Sequence, residues 1–435
     1  MRVLIFCLIP LWLCAQTYTE LLQLLEKSPS YQSAKELEKA AESLYLSSQG
    51  KNLPSLDATL SAIEFNDIPT MTLHLPSFPA LSAPVGTRKH LEGALILSYP
   101  LFTGFAISSA IDKAKLESEQ ASLKVTNLKR NLAMHVTQLY STILSEEKVI
   151  EAWQSSEKAL NESFKKAKGF YEHGLLAQSE LYAIEAKLYD AKATILHHQN
   201  LRKQLLNQLS YMLNTKIESL STTSPSLKAF ERPSVDEATS LALLHREDLQ
   251  VMEKAIDVAQ SSVELAKSKN YPNVALVGVI KRQGDSMELN GDGYTNADKS
   301  YAGVSVTWNL FNGYSDAHAI DAARASKMSA FFNLEEYRQR IEVEVQNTHL
   351  ELQTLEAKLR SALLEAKANE TYAHLTQGRF ENQLVSADEL SRALATLASS
   401  HAKVASLQSE LFNQSALIWL ECGWETFEKR LLKNQ

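Results

Sequence analysis

Two spacings of apolar residues alternate along this chain of 435 residues. Short stretches place apolar and polar residues at alternate positions, which is typical of strands with one exposed face. Much longer stretches repeat apolar residues about every 3.5 positions, as long helices packed in pairs do. The pattern predicts four strands, at about 57–66, 91–102, 273–282 and 300–311, and two long helical hairpins, at about 106–214 and 314–423.

The second half of the chain repeats the first. Residues 101–104, Leu-Phe-Thr-Gly, recur as Leu-Phe-Asn-Gly at 310–313, which is 209 positions later (311 − 102). Residues 171–181 recur at 380–390 with the same offset. Each copy of the first motif closes an alternating stretch and opens a helical one. A repeat of this length means that one structural unit is present twice.

The repeat sets the predicted order of segments along the chain. Between strands of one repeat we expect loops, rich in proline in the first copy and polar in the second. The predicted segments are a signal peptide at 1–15, a first repeat at 16–220, a linker at 221–234, a second repeat at 235–423 and a C-terminal tail at 424–435, with the two loops at 67–90 and 283–299.

The first 15 residues have the features of a secretory signal. Arg2 is followed by an apolar stretch that is too short to span a bilayer, and Ala15 is the small residue that a cleavage site requires. Cys14 leaves lipid attachment open as an alternative, whereas Pro10 disfavours a buried helix. Removal of this segment would leave Cys422 as the single cysteine, which excludes an intrachain disulfide.

Composition and charge narrow the class of protein. The chain has only 14 Gly and 11 Pro, which favours long elements, and its net charge of −7 gives no general attraction to nucleic acid. After the signal, no stretch reaches 18 apolar residues, so no transmembrane helix is predicted. Strands of about ten residues can still cross a bilayer, but an open sheet edge in lipid is costly. The strands therefore either belong to an oligomer or lie outside lipid.

Aromatic residues gather where strands give way to long helices. Such rings suit the boundary between lipid and water, and the alternative is ordinary packing in a core. Glycine at these junctions permits a bend. The junction residues are Tyr99, Phe102, Gly104, Phe105, Tyr271, Trp308, Phe311, Gly313 and Tyr314.

The paired Leu-Phe-(Thr/Asn)-Gly motifs, the proline-led strand starts and the Tyr-x-x-Gly-Leu-type hairpin tip resemble those of TolC-type outer-membrane factors. The resemblance implies a mainly α fold with a small β part, built from two structural repeats, each with a long α-helical hairpin and two antiparallel strands. It implies a homotrimer that forms a 12-stranded β-barrel in the outer membrane of a Gram-negative bacterium, on an α-helical barrel in the periplasm. It implies neither an enzyme nor a cofactor.

The resemblance also implies a role and partners. The role is that of the exit duct of a tripartite efflux pump or a type I secretion system, which conducts substrates passively. The partners are a periplasmic adaptor (membrane fusion) protein and an inner-membrane transporter of the resistance-nodulation-division, ABC or major facilitator type, with outer-membrane lipid around the strands. The cargo, whether drugs, metal ions or proteins, is set mostly by the transporter.

The hairpin tips carry the residues that the family uses. Gln383 departs from the usual glycine of the second tip. The adaptor-contacting positions are Gly174, Leu175, Leu176, Gln383, Leu384 and Val385. Just after the second tip, the family often places carboxylates at a constriction, and Asp388, Glu389 and Arg392 match these positions. Three copies would form a ring of six carboxylates, with Arg392 expected to pair with Glu389. The alternative is a solvated helix N-terminus, where acidic residues are favoured in any case.

Other candidate sites are weaker. The segment 288–299 begins like a calcium loop but has Lys299 at the twelfth position, and the adjacent His197 and His198 point apart on a helix. Cys422 lacks a nearby base and is expected to be a packed side chain. We find no catalytic pattern and no metal site. A structural coiled-coil protein without channel activity remains the alternative, because it would also need the long helices, whereas a porin-like uptake channel would not.

Overall fold

The computed structural model describes residues 16–74, 76–221 and 230–433. The predicted signal segment and residues 222–229 of the predicted linker lie outside the described residues. The helices are α1 (Tyr18–Gln23), α2 (Pro29–Gly50), α3 (Ala106–Glu172), α4 (Gln178–Met212), α5 (Val235–His245), α6 (Glu247–Lys267), α7 (Ser315–Glu381), α8 (Ala387–Glu421) and α9 (Trp424–Lys433). The strands are β1 (Ser55–Glu64), β2 (Thr70–Leu73), β3 (Leu81–Pro84), β4 (Lys89–Thr103), β5 (Asn273–Gly284) and β6 (Tyr301–Thr307).

The helices confirm the internal repeat in a simple way. Both α3 and α7 have 67 residues, and both α4 and α8 have 35. At 1.5 Å per residue, each 67-residue helix spans roughly 100 Å. The chain is mainly helical with a small sheet part, as predicted.

Four strands form one antiparallel sheet in the order β1-β4-β5-β6, with β1 and β6 at its two edges. Ala58 pairs with Leu95, Leu95 with Ile280, and Leu276 with Val304. Because paired residues point to the same face, this register places Leu60, Leu95, Ile280 and Val304, one apolar residue from each strand, on one face. The opposite face is mixed, with the polar residues Thr59, Glu92 and Lys281 beside the apolar residues Ile96 and Val279.

The predicted loop at 67–90 contains structure that the alternation did not reveal. Strands β2 and β3 pair there as a separate two-stranded hairpin, with Met71 opposite Ala83. Each strand has only four residues, which is too short for a two-residue period to stand out among the prolines.

The fourth predicted strand, 300–311, is shorter than expected and ends at Thr307. Thr307 pairs with Asn273, the first residue of β5, and the preceding Pro272 has no N–H to extend the ladder. Beyond it, the side chain of Asn309 accepts a hydrogen bond from the backbone N–H of Phe311 at 3.2 Å, a local turn that competes with strand pairing.

The chain divides into two compact units. One comprises the described parts of Met1–Glu36, Ser122–Val251 and Glu335–Gln435, and the other comprises Leu37–Ala121 and Met252–Leu334. The sheet lies in the second unit and the two hairpin tips lie in the first.

The first unit has an aromatic core. Its rings approach with centroids 5.1 to 6.4 Å apart, and they belong to Tyr18, Tyr140, Phe230, Phe412 and Phe427. Phe427 lies in the segment predicted as a C-terminal tail. That segment is helix α9, because its apolar residues recur at helical spacing and are buried on this core.

Candidate functional site at the hairpin tips

Both hairpins turn at a residue in the left-handed conformation. Gly174 has φ 73° and Gln383, 209 positions later, has φ 58°. In each tip the next backbone N–H reaches back to the helix end: Leu175 donates to Phe170 O and Leu384 donates to Arg379 O, both at 2.8 Å. The second tip therefore keeps the geometry of the first although it lacks the glycine.

The six predicted contact residues divide by exposure. Leu175 and Leu384 are 59% and 67% exposed. Leu176 and Val385 are half-buried, because they pack against an apolar cluster beneath both tips. The buried members of this cluster are Leu160, Ala167, Leu181, Ile184, Leu188, Ala191, Ala373, Phe380, Ala387, Leu390, Ala393 and Leu394. A partner protein could thus contact Leu175 and Leu384 without disturbing the packing of the cluster.

The two tips are held to each other by contacts that the sequence did not reveal. The rings of Phe170 and Phe380 lie 6.1 Å apart, and Lys166 Nζ lies 2.6 Å from Glu381 Oε1. The pKa of Glu381 is lowered by its hydrogen bond to Lys166. These contacts join α3 to α7, so the two hairpins meet at their tips.

The predicted gate residues lie at the start of α8. The side chain of Ser386 caps this helix by accepting a hydrogen bond from Glu389 N at 3.2 Å. Arg392 pairs with Asp388, one turn before it on the same helix face, rather than with Glu389 as expected. Glu389 instead faces α7, where Arg379 Nη1 lies 4.0 Å away and Tyr372 donates a hydrogen bond at 3.5 Å.

This arrangement shows which of the three predicted gate residues can respond to movement of the hairpins. The Asp388–Arg392 pair lies within one helix, so it survives any displacement of that helix. The contacts of Glu389 cross from α8 to α7 and depend on how the two helices are placed. Both carboxylates are partly exposed, so neither pair is strong by itself.

The strand–helix junctions are the second group of predicted residues. Gly104 and Phe105 both have positive φ, at 60° and 69°, and Gly313 and Tyr314 repeat this pair at 69° and 65°. Two successive left-handed residues turn the chain sharply, which only a glycine does without steric cost. The two glycines differ in their surroundings. A Cβ on Gly104 would lie 2.4 Å from Ser268 O, whereas a Cβ on Gly313 would meet nothing within 4 Å.

The aromatic residues of the junctions pack on one another. Phe105 makes edge contacts with Phe102 and Tyr271 at 5.4 and 5.7 Å, and Phe311 contacts Tyr314 at 5.5 Å. Most of these rings are nevertheless exposed on the chain, so an ordinary core does not account for them. The exposed rings are Tyr99, Phe105, Tyr271, Trp308, Phe311 and Tyr314.

A buried charge cluster in the first unit was not predicted. Arg130 on α3, with only 2% of its side chain exposed, places Nε 3.2 Å from Glu247 Oε2 and Nη2 2.6 Å from Asp248 Oδ2. Arg246 lies 3.0 Å from Asp248 Oδ1 and 2.9 Å from Glu344 Oε2. Charged residues in a long helix or at a helix start usually lie in solvent, so no sequence pattern marks this cluster as buried.

Burial and charge act against each other in this cluster. Burial raises the pKa of Glu247 above its ordinary range. Burial also opposes ionisation of Asp248, but Arg130 and Arg246 outweigh it and lower the pKa of that carboxyl. Asp248 further accepts a hydrogen bond from the hydroxyl of Tyr337 at 2.7 Å, and burial raises the pKa of that hydroxyl.

The remaining candidates behave as packing or surface residues. His198 pairs with Glu146 at 2.7 Å, and the backbone N–H groups of Tyr294 and Thr295 donate to Asp292 in a closed turn. Cys422 is buried, and burial raises the pKa of its thiol to about 12. Within residues 16–74, 76–221 and 230–433, no group of three or more His, Cys, Asp or Glu side chains is arranged to hold a metal ion.

No helix among the described residues combines the length and apolarity needed to cross a membrane.

Solved structures show where this fold occurs. The Campylobacter jejuni CmeC outer membrane channel superposes with a TM-score of 0.77 at 14% identity, over 96% of this chain and 89% of that one. The Vibrio cholerae outer membrane protein VceC superposes with a TM-score of 0.75 at 18% identity, over 93% of this chain and 96% of that one. The open state of the Neisseria gonorrhoeae MtrE outer membrane channel superposes with a TM-score of 0.72 at 18% identity, over 93% of this chain and 89% of that one. At these identities the likeness concerns the fold.

The sequence itself was compared with families and with curated proteins. No curated protein matches the chain. The outer membrane efflux protein family matches residues 21–215 and 238–418, which lie in the first and second repeats and together cover most of the chain. The double helical hairpin, the four-stranded sheet and this match agree, and the chain belongs to the outer membrane efflux protein family.

Proposed function

We propose that this protein is the outer-membrane exit duct of a tripartite efflux pump or a type I secretion system, and that it conducts substrates passively to the exterior. The observation that carries the proposal is the apolar face of the sheet. Side chains on this face are 39–79% exposed on the chain, and they are Leu56, Leu60, Leu95, Leu97, Leu276, Ile280, Val304 and Val306. Lipid is the surrounding that makes such a face stable.

The other face of the sheet supports a water-filled interior. Thr59 and Lys281 flank Ala94 in the register, and Lys281 Nζ lies 2.5 Å from Glu92 Oε2. A sheet with a row of exposed apolar side chains on one face, and with charged side chains on the other, is suited to separate lipid from water. A sheet that only anchored a coiled coil would not need charged side chains on its second face. The charged residues there therefore disfavour a structural coiled-coil protein without channel activity.

The edges of the sheet support a homotrimer. In the described chain β1 and β6 are the outer strands, and their unpaired backbone groups would be costly in lipid. Edge pairing of β1 with β6 of a neighbouring copy removes this cost. Three copies give a closed sheet of twelve strands, surrounded by outer-membrane lipid, with the helical part in the periplasm.

The tips support a role in docking. Leu175 and Leu384 are exposed leucines at loop ends, where an apolar side chain is a liability unless it is covered. We propose that the six tip residues, Gly174 to Leu176 and Gln383 to Val385, receive a periplasmic adaptor. Through it the duct meets an inner-membrane transporter, which selects the cargo.

We further propose that Asp388, Glu389 and Arg392 narrow the periplasmic end of the duct, with Arg379 and Tyr372 holding Glu389 in the narrow state. The contacts of Glu389 with Arg379 and Tyr372 cross between helices, so they are the ones that opening must break.

The test is conductance of the purified protein in planar bilayers. A heat-resistant trimer that conducts ions is expected, and Glu389→Gln together with Arg379→Gln should raise its single-channel conductance several-fold. Lys187→Gln is the matched control, because this exposed cation pairs with Asp190 within α4, and it should change conductance little. A monomer that neither enters membranes nor conducts would exclude the duct. Equal conductance of all variants would remove Glu389 from the constriction while leaving the duct intact.

A further inference from the structure

Glu421, the last residue of α8, is a buried carboxyl without a cation of its own. It is 8% exposed, and its Oε1 accepts a hydrogen bond from Thr348 Oγ1 of α7 at 3.1 Å. Its Oε2 has no hydrogen-bond partner among the described residues. The contact with Thr348 therefore joins the end of α8 to α7 through a single polar side chain.

The cations near Glu421 already pair with other carboxylates. From α3 comes Arg130, and from the junction of α5 and α6 come Arg246, Glu247 and Asp248, which form the ion pairs described above. Two guanidinium groups thus face two buried carboxylates.

The other elements packed against Glu421 add no cation. From α7 comes Glu344, which lies against Arg246 and opposes ionisation of Glu421, as well as the neutral Thr348. Helix α9 begins at Trp424, whose backbone N–H donates to Glu247 Oε1 at 2.7 Å, and Cys422, which follows the end of α8, adds a buried thiol. Ionised Glu421 would be a buried negative charge in excess.

Burial favours the neutral form of Glu421, whereas the hydrogen bond that Thr348 donates to Oε1 favours the charged form. The neutral carboxyl can keep this hydrogen bond with its acid proton on Oε2. Burial raises the pKa of Glu421 to about 7, so a small change of pH near neutrality changes its charge. When Glu421 ionises, the charge gains solvation only if the end of α8 moves away from α7.

We propose that Glu421 and Thr348 form a proton-operated clasp between α7 and α8, closed when Glu421 is neutral and loosened when it is charged. Because α8 is one continuous helix of 35 residues that begins at the second tip, movement at Glu421 is transmitted to Asp388 and Glu389. Loosening the clasp therefore favours the wide state of the constriction at higher pH. This last step rests on the proposed duct, whereas the clasp itself does not.

The first experiment measures the clasp without any channel activity. Hydrogen exchange of the purified protein at pH 5.5 and 8.5, expressed as protection factors, should show protection falling at least tenfold around residues 340–352 and 412–424 as the pH rises. Glu421→Gln, which cannot ionise, should keep the protection at both values. Glu410→Gln, an exposed glutamate of α8, should behave as the wild type. Equal pH dependence in the wild type and Glu421→Gln would overturn the clasp.

The second experiment measures its consequence. Mean conductance in planar bilayers should rise with pH with a midpoint near 7 in the wild type, and it should be flat in Glu421→Gln. Thr348→Val removes the α7 side of the clasp and should give the conductance of the loosened state at every pH, which keeps the test open if Glu421→Gln does not assemble. Absence of conductance in every variant would contradict the duct, and the exchange result would still decide the clasp. Conductance with one pH profile in all variants would contradict transmission to the constriction.

Discussion

At the scale of single residues, the unexpected feature is how much charge is buried in the first unit. Arg130 is almost fully buried and pairs with two carboxylates, whereas Glu421 is buried and forms no ion pair among the described residues. A buried ion pair contributes little net stability when it forms, but removal of one partner leaves the other charge unpaired in a medium of low polarity. The cluster should therefore respond strongly to single substitutions.

Arg130→Met keeps the length of the side chain and removes its charge. We expect a loss of about 3 to 5 kcal/mol in the free energy of unfolding, because Glu247 and Asp248 lose a partner while buried. Lys148→Met on the same helix is the control, since Lys148 pairs with Glu151 on the surface, and it should cost less than about 1 kcal/mol. Denaturant unfolding followed by circular dichroism measures both, and similar losses would show that the cluster is not critical.

Glu421→Gln should stabilise the protein at neutral and higher pH. The pKa of Glu421 is raised from 4.5 unfolded to about 7 folded, so the unfolded state loses its proton first and stability falls as pH rises between these values. Above pH 7 the accumulated loss is about 3 kcal/mol, and it is absent below pH 4.5. The thermal unfolding midpoints of the wild type and Glu421→Gln, measured from pH 4 to pH 8.5, should be similar at the acidic end. At the basic end the midpoint of Glu421→Gln should be higher. A constant difference would contradict the raised pKa.

At the scale of elements, the turns rather than the helices distinguish one repeat from the other. Left-handed residues stand at matched positions 209 apart, at 104 and 313, 105 and 314, 174 and 383, and 214 and 423. In the tips, the first repeat has Gly174 and the second has Gln383. Equal backbone geometry thus has unequal steric cost in the two copies.

Gly104→Ala should be more damaging than Gly313→Ala. Both positions have positive φ, which costs alanine about 1 kcal/mol. At Gly104 the added Cβ would also come within 2.7 Å of Tyr271 Cβ and closer still to a backbone oxygen, so the neighbouring chain must shift. The yield of the proposed heat-resistant trimer on electrophoresis measures the effect. A larger loss for Gly313→Ala would mean that assembly, rather than local packing, limits this junction.

Gln383→Gly should stabilise the second tip by about 1 kcal/mol, because glycine adopts its left-handed conformation without strain. Gln353→Gly in the exposed interior of α7 is the matched control and should destabilise by a similar amount, since glycine weakens a helix interior. Hydrogen-exchange protection of the second tip in Gln383→Gly and of the middle of α7 in Gln353→Gly, each relative to the wild type, measures the two effects. Loss of protection in the tip of Gln383→Gly would indicate that the glutamine side chain itself stabilises the turn.

At the scale of the whole molecule, duplication of one unit supplies both the helical hairpins and the strands, and the two copies join in one sheet through β4 and β5. The resulting sheet has one row of exposed apolar side chains, and β1 and β6 stand at its edges in the described part of the chain. In the proposed duct, pairing of these edges with other copies closes the sheet and places the apolar row against lipid.

Neighbouring residues on the two faces of β1 provide the test of this view. Leu60→Arg places a charge on the apolar face and should cost about 2 to 4 kcal/mol near the middle of a bilayer, with loss of insertion into vesicles. Thr59→Arg places the same charge on the polar face and should insert normally. Flotation of the protein with liposomes measures both. Normal insertion of Leu60→Arg would mean that this face does not meet lipid.

Much of the fold was predictable from the sequence, and for a clear reason. Heptad-like spacing over tens of residues is a strong signal, so Leu132, Val136 and Ile143 were assigned to a helix interface and are buried. The 209-residue offset likewise predicted that the two halves share one architecture. Alternation marked the longer strands, but strands of four residues carried too short a signal, and β2 and β3 were missed.

Tertiary structure alone decided which side chains meet. The family resemblance pointed to Asp388, Glu389 and Arg392, but only the fold shows that Glu389 faces α7 while Arg392 pairs within its own helix. Arg130 and Glu421 are almost 300 positions apart in a chain where most charged residues are solvated, so no local pattern distinguishes them. Periodicity depends on near neighbours and can be read along a sequence, whereas burial of a charge depends on packing between distant segments.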